Sequence, residues 1–150
     1  MQNNNYLIRN MSSEEANIAV KWASKEGWNP GIYDLNAFYK TDNTGWWIGL
    51  LNDKPIAVIT AIKYINEFSF VGFYIVKSEY RGKGYGIKLW NRALESLNGI
   101  LCGLDGVVDQ QENYKKSGFI YAHRNVRYKT TGLINVNLNP NITDINDIPF

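Results

Sequence analysis

Arg81-Gly82-Lys83-Gly84-Tyr85-Gly86 is the stretch whose residue types and spacing could do chemistry. A β-branched run precedes it and an amphipathic pattern follows, so it reads as a strand-to-helix turn. Glycines let the backbone turn tightly, and their missing side chains let a ligand approach the amides. The free N–H groups of a helix's first turn, together with its dipole, favour an anion such as pyrophosphate. Arg81 and Lys83 add positive charge nearby. The spacing is not the dinucleotide-binding G-x-G-x-x-G, because Gly86 comes one position early. Nor is it a P-loop, since no Gly-Lys-Ser/Thr ending follows. By itself the stretch is as readily a structural turn as an anion cradle.

Other reactive side chains are few. Cys102 is the sole cysteine, so no internal disulfide can form. A lone cysteine in an apolar strand reads as core packing rather than as a nucleophile. His123 is the sole histidine and falls in a strand pattern, which favours a structural role. With no second histidine and no cysteine cluster, no metal site is expected.

The elements that must position the cradle follow from periodicity and punctuation. Residues 6–11 read as a first strand. Ser12-Ser13-Glu14-Glu15 then supplies a capping box, and Ala16, Ala19, Val20 and Ala23 follow at helical spacing until Gly27. A loop with Trp28-Asn29-Pro30-Gly31 leads to a short helix over 35–39. Strands are expected over 46–51, 55–65 and 68–76, with a hairpin turn at Asn52-Asp53-Lys54. Ile87, Trp90, Ala93, Leu94 and Leu97 restore the helical period, and Asn98-Gly99 stops it. A strand over 100–104, a helix over 110–117 and a last strand over 119–128 complete the order. Hairpin strands followed by a strand–helix–strand crossover imply a mixed α/β sheet with helices on its faces. From Leu133 the chain turns asparagine-rich and reads as linker.

A length of 150 residues fits one ordinary domain with a real core. Net charge is +2 with scattered basic residues, which gives no electrostatic reason to expect nucleic acid as a partner. The polar start, Met1-Gln2-Asn3-Asn4-Asn5, lacks the apolar stretch of a signal peptide, and no run is long enough to span a membrane. A cytoplasmic protein without membrane or nucleic-acid partners is the expectation.

Within this frame, Ile75-Val76-Lys77-Ser78-Glu79-Tyr80 running into residues 81–86 resembles the cofactor motif of the GNAT acetyltransferase superfamily. That motif is Gln/Arg-x-x-Gly-x-Gly/Ala after a strand ending in valine, and Arg81, Gly84 and Gly86 fill its positions. Ser78 stands where a proline is common. Tyr114-Lys115-Lys116-Ser117-Gly118-Phe119 resembles a second signature, Tyr-x-x-x-Gly-Phe. Together with the element order, the resemblance covers residues 6–128. Three shorter stretches, at 26–31, 103–108 and 122–125, resemble a bacterial subgroup that carries a second acetyltransferase-like domain. Residues 142–149 look like the opening of such a domain, so the expected division is 1–132 and 133–150.

The resemblance implies a GNAT-like α/β (α+β) fold, mixed and mostly antiparallel. About six or seven strands and about four helices would build it, with a splay at the central parallel strands. It implies acetyl-CoA as co-substrate and no metal. Backbone groups of Tyr74, Ile75 and Val76 would pair with the pantetheine arm, and amides of Arg81, Gly82, Lys83, Gly84, Tyr85 and Gly86 would hold the pyrophosphate. A strand-end N–H would stabilise the oxyanion while an acceptor amine attacks directly. Tyr114 matches the position of the general acid that protonates the leaving thiolate. Asp105, after the strand forming the far wall, is a candidate base or acceptor contact, although an aspartate just after a strand is more often turn chemistry. Glu67 is a weaker alternative, and a water relay would need neither. Trp28, Asn29 and Tyr33 are candidates for the acceptor pocket, with Trp28 alternatively closing the first helix.

Two functions from different classes follow. One is an N-acetyltransferase acting on a small-molecule or peptide amine. The other is a non-catalytic acyl-CoA-binding or regulatory module, which needs the cradle but neither Tyr114 nor an acceptor pocket. A homodimer is open to either.

Overall fold

Ser12 and Glu15 satisfy each other's backbone donors at the start of the first helix. The Glu15 N–H donates to the Ser12 hydroxyl at 3.3 Å, and the Ser12 N–H donates to the Glu15 carboxylate at 2.9 Å. In a computed structural model of the chain, residues 5–65, 67–126 and 128 are described. Strand β1, Tyr6–Asn10, leads into that capped helix, α1, Ser13–Lys25. Its buried positions Ala16, Ala19 and Ala23 are small, which lets the helix axis approach the sheet closely. Gly27, at φ +78, and Trp28 close the helix: their N–H groups donate to the Ser24 and Ala23 carbonyls. This 6→1 and 5→2 pairing is a Schellman closure. Helix α2, Asp34–Thr41, follows.

The hairpin strands are β2, Trp46–Leu51, β3, Lys54–Tyr64, and β4, Phe68–Val76. Asn52 and Asp53 both take positive φ, as the twist of a two-residue hairpin turn requires. Helix α3, Tyr85–Glu95, then crosses over, so that β5, Leu101–Leu104, lies parallel to β4. The strand order is β1-β2-β3-β4-β5, with every other neighbouring pair antiparallel. Helix α4, Gln111–Lys116, closes the compact unit, which ends at Phe119.

Alternation along the strands builds two cores. Trp46, Ile48 and Ile75 face α1, whereas Trp47, Ile59 and Val71 face Leu89 and Trp90 of α3. Fully burying side chains of this size contributes about 2 kcal/mol each.

The structure corrects the expected sheet in one respect. Five strands form among the described residues, and residues 119–126 contain none of the expected last strand. Phe119 is used otherwise. Gly118, at φ +89, and Phe119 donate to the Lys115 and Tyr114 carbonyls, the same Schellman closure that ends α1. The Phe119 ring packs 5.9 Å from Trp90. Beyond it, Ile120 and Tyr121 are 91% and 60% exposed, and β propensity without burial does not make a strand. His123 lies in this stretch and is exposed. The expected linker and second-domain opening, 133–150, lie outside the described residues.

Candidate active site

Two features of β4 and β5 set the site. Parallel pairing runs from Phe68↔Leu101 to Val71↔Leu104 and stops there, while β4 continues to Val76. The ladder stops because β5 itself ends at Leu104, so β4 runs on without a β5 partner from Gly72, and Tyr74, Ile75 and Val76 lie past the ladder's end. Within the same stretch β4 bulges against β3. Thr60 pairs with Gly72 and Val58 with Ile75, so β4 carries an extra residue there. Phe73 takes φ +47, a left-handed conformation that an aromatic residue adopts at a cost of about 1 kcal/mol or more. Stacking of its ring on buried Trp46, with centroids 5.8 Å apart, holds it there. Sequence reasoning missed this bulge, because phenylalanine in a β-rich run gives no sign of it.

At the end of β4, the Lys77 N–H still donates to the Ile56 carbonyl, and a short turn at Ser78–Tyr80 leads into the cradle. Gly82 and Gly84 take φ +73 and +81, and a Cβ at either would meet nothing within 4 Å. Glycine is required there by backbone conformation, and the space beside it is open. The first helical bond runs from the Lys88 N–H to the Gly84 carbonyl, so the amides of Tyr85, Gly86 and Ile87 precede the first helical donor and make no intrahelical bond at the α3 N-terminus. Gly86 differs. A Cβ there would come 2.6 Å from the Tyr74 hydroxyl and 2.9 Å from Val76 Cγ2, so this glycine lets α3 pack onto β4.

The cradle's cations are engaged locally. Arg81 Nε donates to the Val76 carbonyl and Nη2 to Glu26 Oε1, each at 2.7 Å. Lys83 Nζ donates to the Glu79 carbonyl at 2.7 Å. An anion here would rest on amides first.

Tyr114 stands on α4 with its ring 5.9 Å from Trp90, whose ring lies 5.2 Å from Tyr74. Gly106 permits this seat, since a Cβ there would overlap the Tyr114 ring. Burial pushes the Tyr114 hydroxyl pKa up, with a backbone hydrogen bond at Val107 acting the other way. Burial, and secondarily the neighbouring Tyr114, raises Tyr74 to about 12. The structure thus gathers Tyr74, Tyr114 and Gly86 around Trp90 on the α3 face. Asp105 is exposed directly after Leu104, the last residue of the parallel ladder. Trp28, Asn29 and Tyr33 lie on the loop between α1 and α2, with Trp28 37% and Tyr33 76% exposed. Trp28 also supplies the last bond of the α1 closure. Glu67 is exposed just before β4, and burial raises the Cys102 thiol pKa, which keeps it an unreactive thiol. Among the described residues no cluster of three metal-ligating side chains forms, and no helix is long and apolar enough to cross a membrane.

The model of the acetyltransferase (GNAT) family matches residues 9–119, which contain the free end of β4, the cradle and Tyr114. The chain belongs to this family. Among curated proteins, holothin acyltransferase of Pseudoalteromonas sp. (strain SANK 73390) is 38% identical over 125 residues, 83% of this chain. The chain spans about two fifths of that relative's length, 41%. Ard1 from Thermoplasma volcanium superposes with a TM-score of 0.67 at 18% identity, covering 79% of this chain and 84% of that one. An aminoglycoside N-acetyltransferase solved in complex with CoA superposes with a TM-score of 0.60 at 16% identity, covering 87% and 98%. These structural likenesses establish the GNAT fold. The five-stranded sheet with parallel β4 and β5 is its mixed, mostly antiparallel architecture.

Proposed function

We propose that this domain transfers an acetyl group from acetyl-CoA to a primary amine by direct attack in a ternary complex. The observation that carries the reading is the stretch of β4 that runs on past the end of β5 at Leu104 with no β5 partner, with an open glycine cradle at its far end. Open space at Gly82 and Gly84 and free amides at the α3 start fit a pyrophosphate. The likeness to an acyltransferase at 38% identity supports the same chemistry.

When bound, acetyl-CoA supplies the thioester carbonyl that the amine attacks. Backbone groups of Tyr74, Ile75 and Val76 pair with the pantetheine arm as an added strand. Amides from Arg81 to Gly86 hold the pyrophosphate, and one strand-end N–H stabilises negative charge developing on the carbonyl oxygen. The N–C bond forms and the C–S bond breaks, one proton leaving nitrogen and one arriving at sulfur. Tyr114 gives its hydroxyl proton to the sulfur, and its high pKa keeps that proton in place at neutral pH. Asp105 takes the proton from nitrogen or holds the acceptor's ammonium. Trp28, Asn29 and Tyr33 line the acceptor side, offering flat apolar surface with a few polar groups. The acceptor is a small-molecule or peptide amine.

The test is free-thiol release from acetyl-CoA against a panel of primary amines, beside calorimetry with CoA. Turnover with at least one amine is expected. Binding of CoA without turnover on any amine would instead favour a non-catalytic acyl-CoA-binding module, and no binding would end the reading.

A further inference from the structure

Arg81 reaches out of the cradle in two directions. Its Nε holds the carbonyl of Val76, the last residue of β4, while Nη2 holds Glu26 Oε1, both at 2.7 Å. Glu26 is the C-cap residue of α1 and stands one position before Gly27, where the loop over 27–33 begins. A second cation makes the same crossing. Lys77 Nζ lies 5.1 Å from the centroid of the Trp22 ring, in the last turns of α1. Two positive side chains from residues 77–81 thus grip the end of α1 beside the loop that carries Trp28, Asn29 and Tyr33.

Resting on the reading of residues 81–86 as a CoA cradle, we propose that Glu26 is a positioning residue. Through Arg81 it ties the acceptor-side loop, 27–33, to the cradle, so that CoA binding orders the loop. An anion held by the amides of 81–86 immobilises the Arg81 backbone. The planar guanidinium, already fixed at Val76, then holds the Glu26 carboxylate in one geometry. Part of the loop's ordering entropy is therefore lost at the first binding event and not again at the second. By linkage, an acceptor that orders the loop tightens CoA in return. The ion pair is half-exposed, with side chains 52% and 38% accessible, so its own strength is small and its effect lies in what it connects.

Hydrogen exchange on the full chain, with and without saturating CoA, tests this. In the wild type, CoA is expected to slow exchange both at 81–86 and at 27–33. Glu26→Ala is expected to keep the protection at 81–86, with a calorimetric Kd for CoA within about 3-fold of wild type, as an exposed ion pair allows. Protection at 27–33 is expected to be lost in that variant, while exchange within α1 of the free protein stays unchanged. Glu26→Gln keeps an oxygen that accepts from the guanidinium and is expected to retain the loop effect. Protection at 81–86 without any at 27–33 in the wild type would overturn the proposal, as would full loop protection in Glu26→Ala. If CoA protects neither segment and gives no heat, the cradle reading fails as well, and the two failures are thereby told apart.

Discussion

Tyr114 and Gly86 show how single residues carry the site. Burial raises the Tyr114 pKa above the ordinary phenol value near ~10. The protonated, donating form therefore persists through neutral pH and is lost only as pH climbs past that value. The alkaline limb of kcat is expected above the ordinary phenol range, and Tyr114→Phe should lower kcat about 100-fold and remove the limb. A pH profile of thiol release measures both, and an unchanged kcat would leave Tyr114 a packing residue under the ligand. Gly86→Ala forces a Cβ against the Tyr74 hydroxyl and Val76. That crowding should destabilise the domain by about 1–3 kcal/mol in urea unfolding. Tyr74→Phe removes the nearer atom, so the double variant should recover part of the loss. Full additivity of the two changes would show that α3 does not press on Tyr74.

At the scale of elements, α1 depends on its first turn. Arg9 grips the Glu15 carboxylate through both guanidinium nitrogens at 2.7 Å, and the Ser12 N–H adds a further bond. The Arg9 bond, then the Ser12 bond, hold the Glu15 pKa down to about 2. A depressed carboxyl pKa contributes stability that is present above the ordinary carboxylate range and fades as pH falls from about 5 toward 2. Glu15→Gln should flatten that part of the acid-unfolding curve followed by circular dichroism. Ser12→Ala should cost about 1 kcal/mol at neutral pH, as loss of an N-cap does. A curve for Glu15→Gln that overlays the wild type would mean another carboxylate governs the acid transition.

For the molecule as a whole, the reading predicts linkage between CoA and stability. Free ligand at about 100 times its Kd should stabilise the fold by about 2.7 kcal/mol. In a chain of this length each kcal/mol raises Tm by about 2–4 °C, so a rise of about 5–10 °C is expected in calorimetric melts. An unmoved Tm at such a concentration would count against CoA as the ligand. The two layers of helix on one sheet explain why the effect should be global. The end of β4 lies between the α1 and α3 cores, and Phe73 and Tyr74 contribute to opposite ones.

Sequence by itself determined the helix caps, the hairpins and the cradle, because these obey rules acting within a few residues. Ser12 with Glu15, the turn at Asn52 and Asp53, and the glycines at 82 and 84 each state their backbone requirement locally. The family followed from two such local motifs at the right separation. Only the tertiary structure decided what distant chain segments do to one another. The ladder's end at Val71 and Leu104, the left-handed Phe73 held by Trp46, and the packing of the Phe119 ring on Trp90 all depend on neighbours far along the chain. The same holds for Arg81, whose charge looked available to a phosphate and instead meets Glu26, 55 positions away. A side chain's partner is set by which elements pack together, and no local pattern around Arg81 could name it.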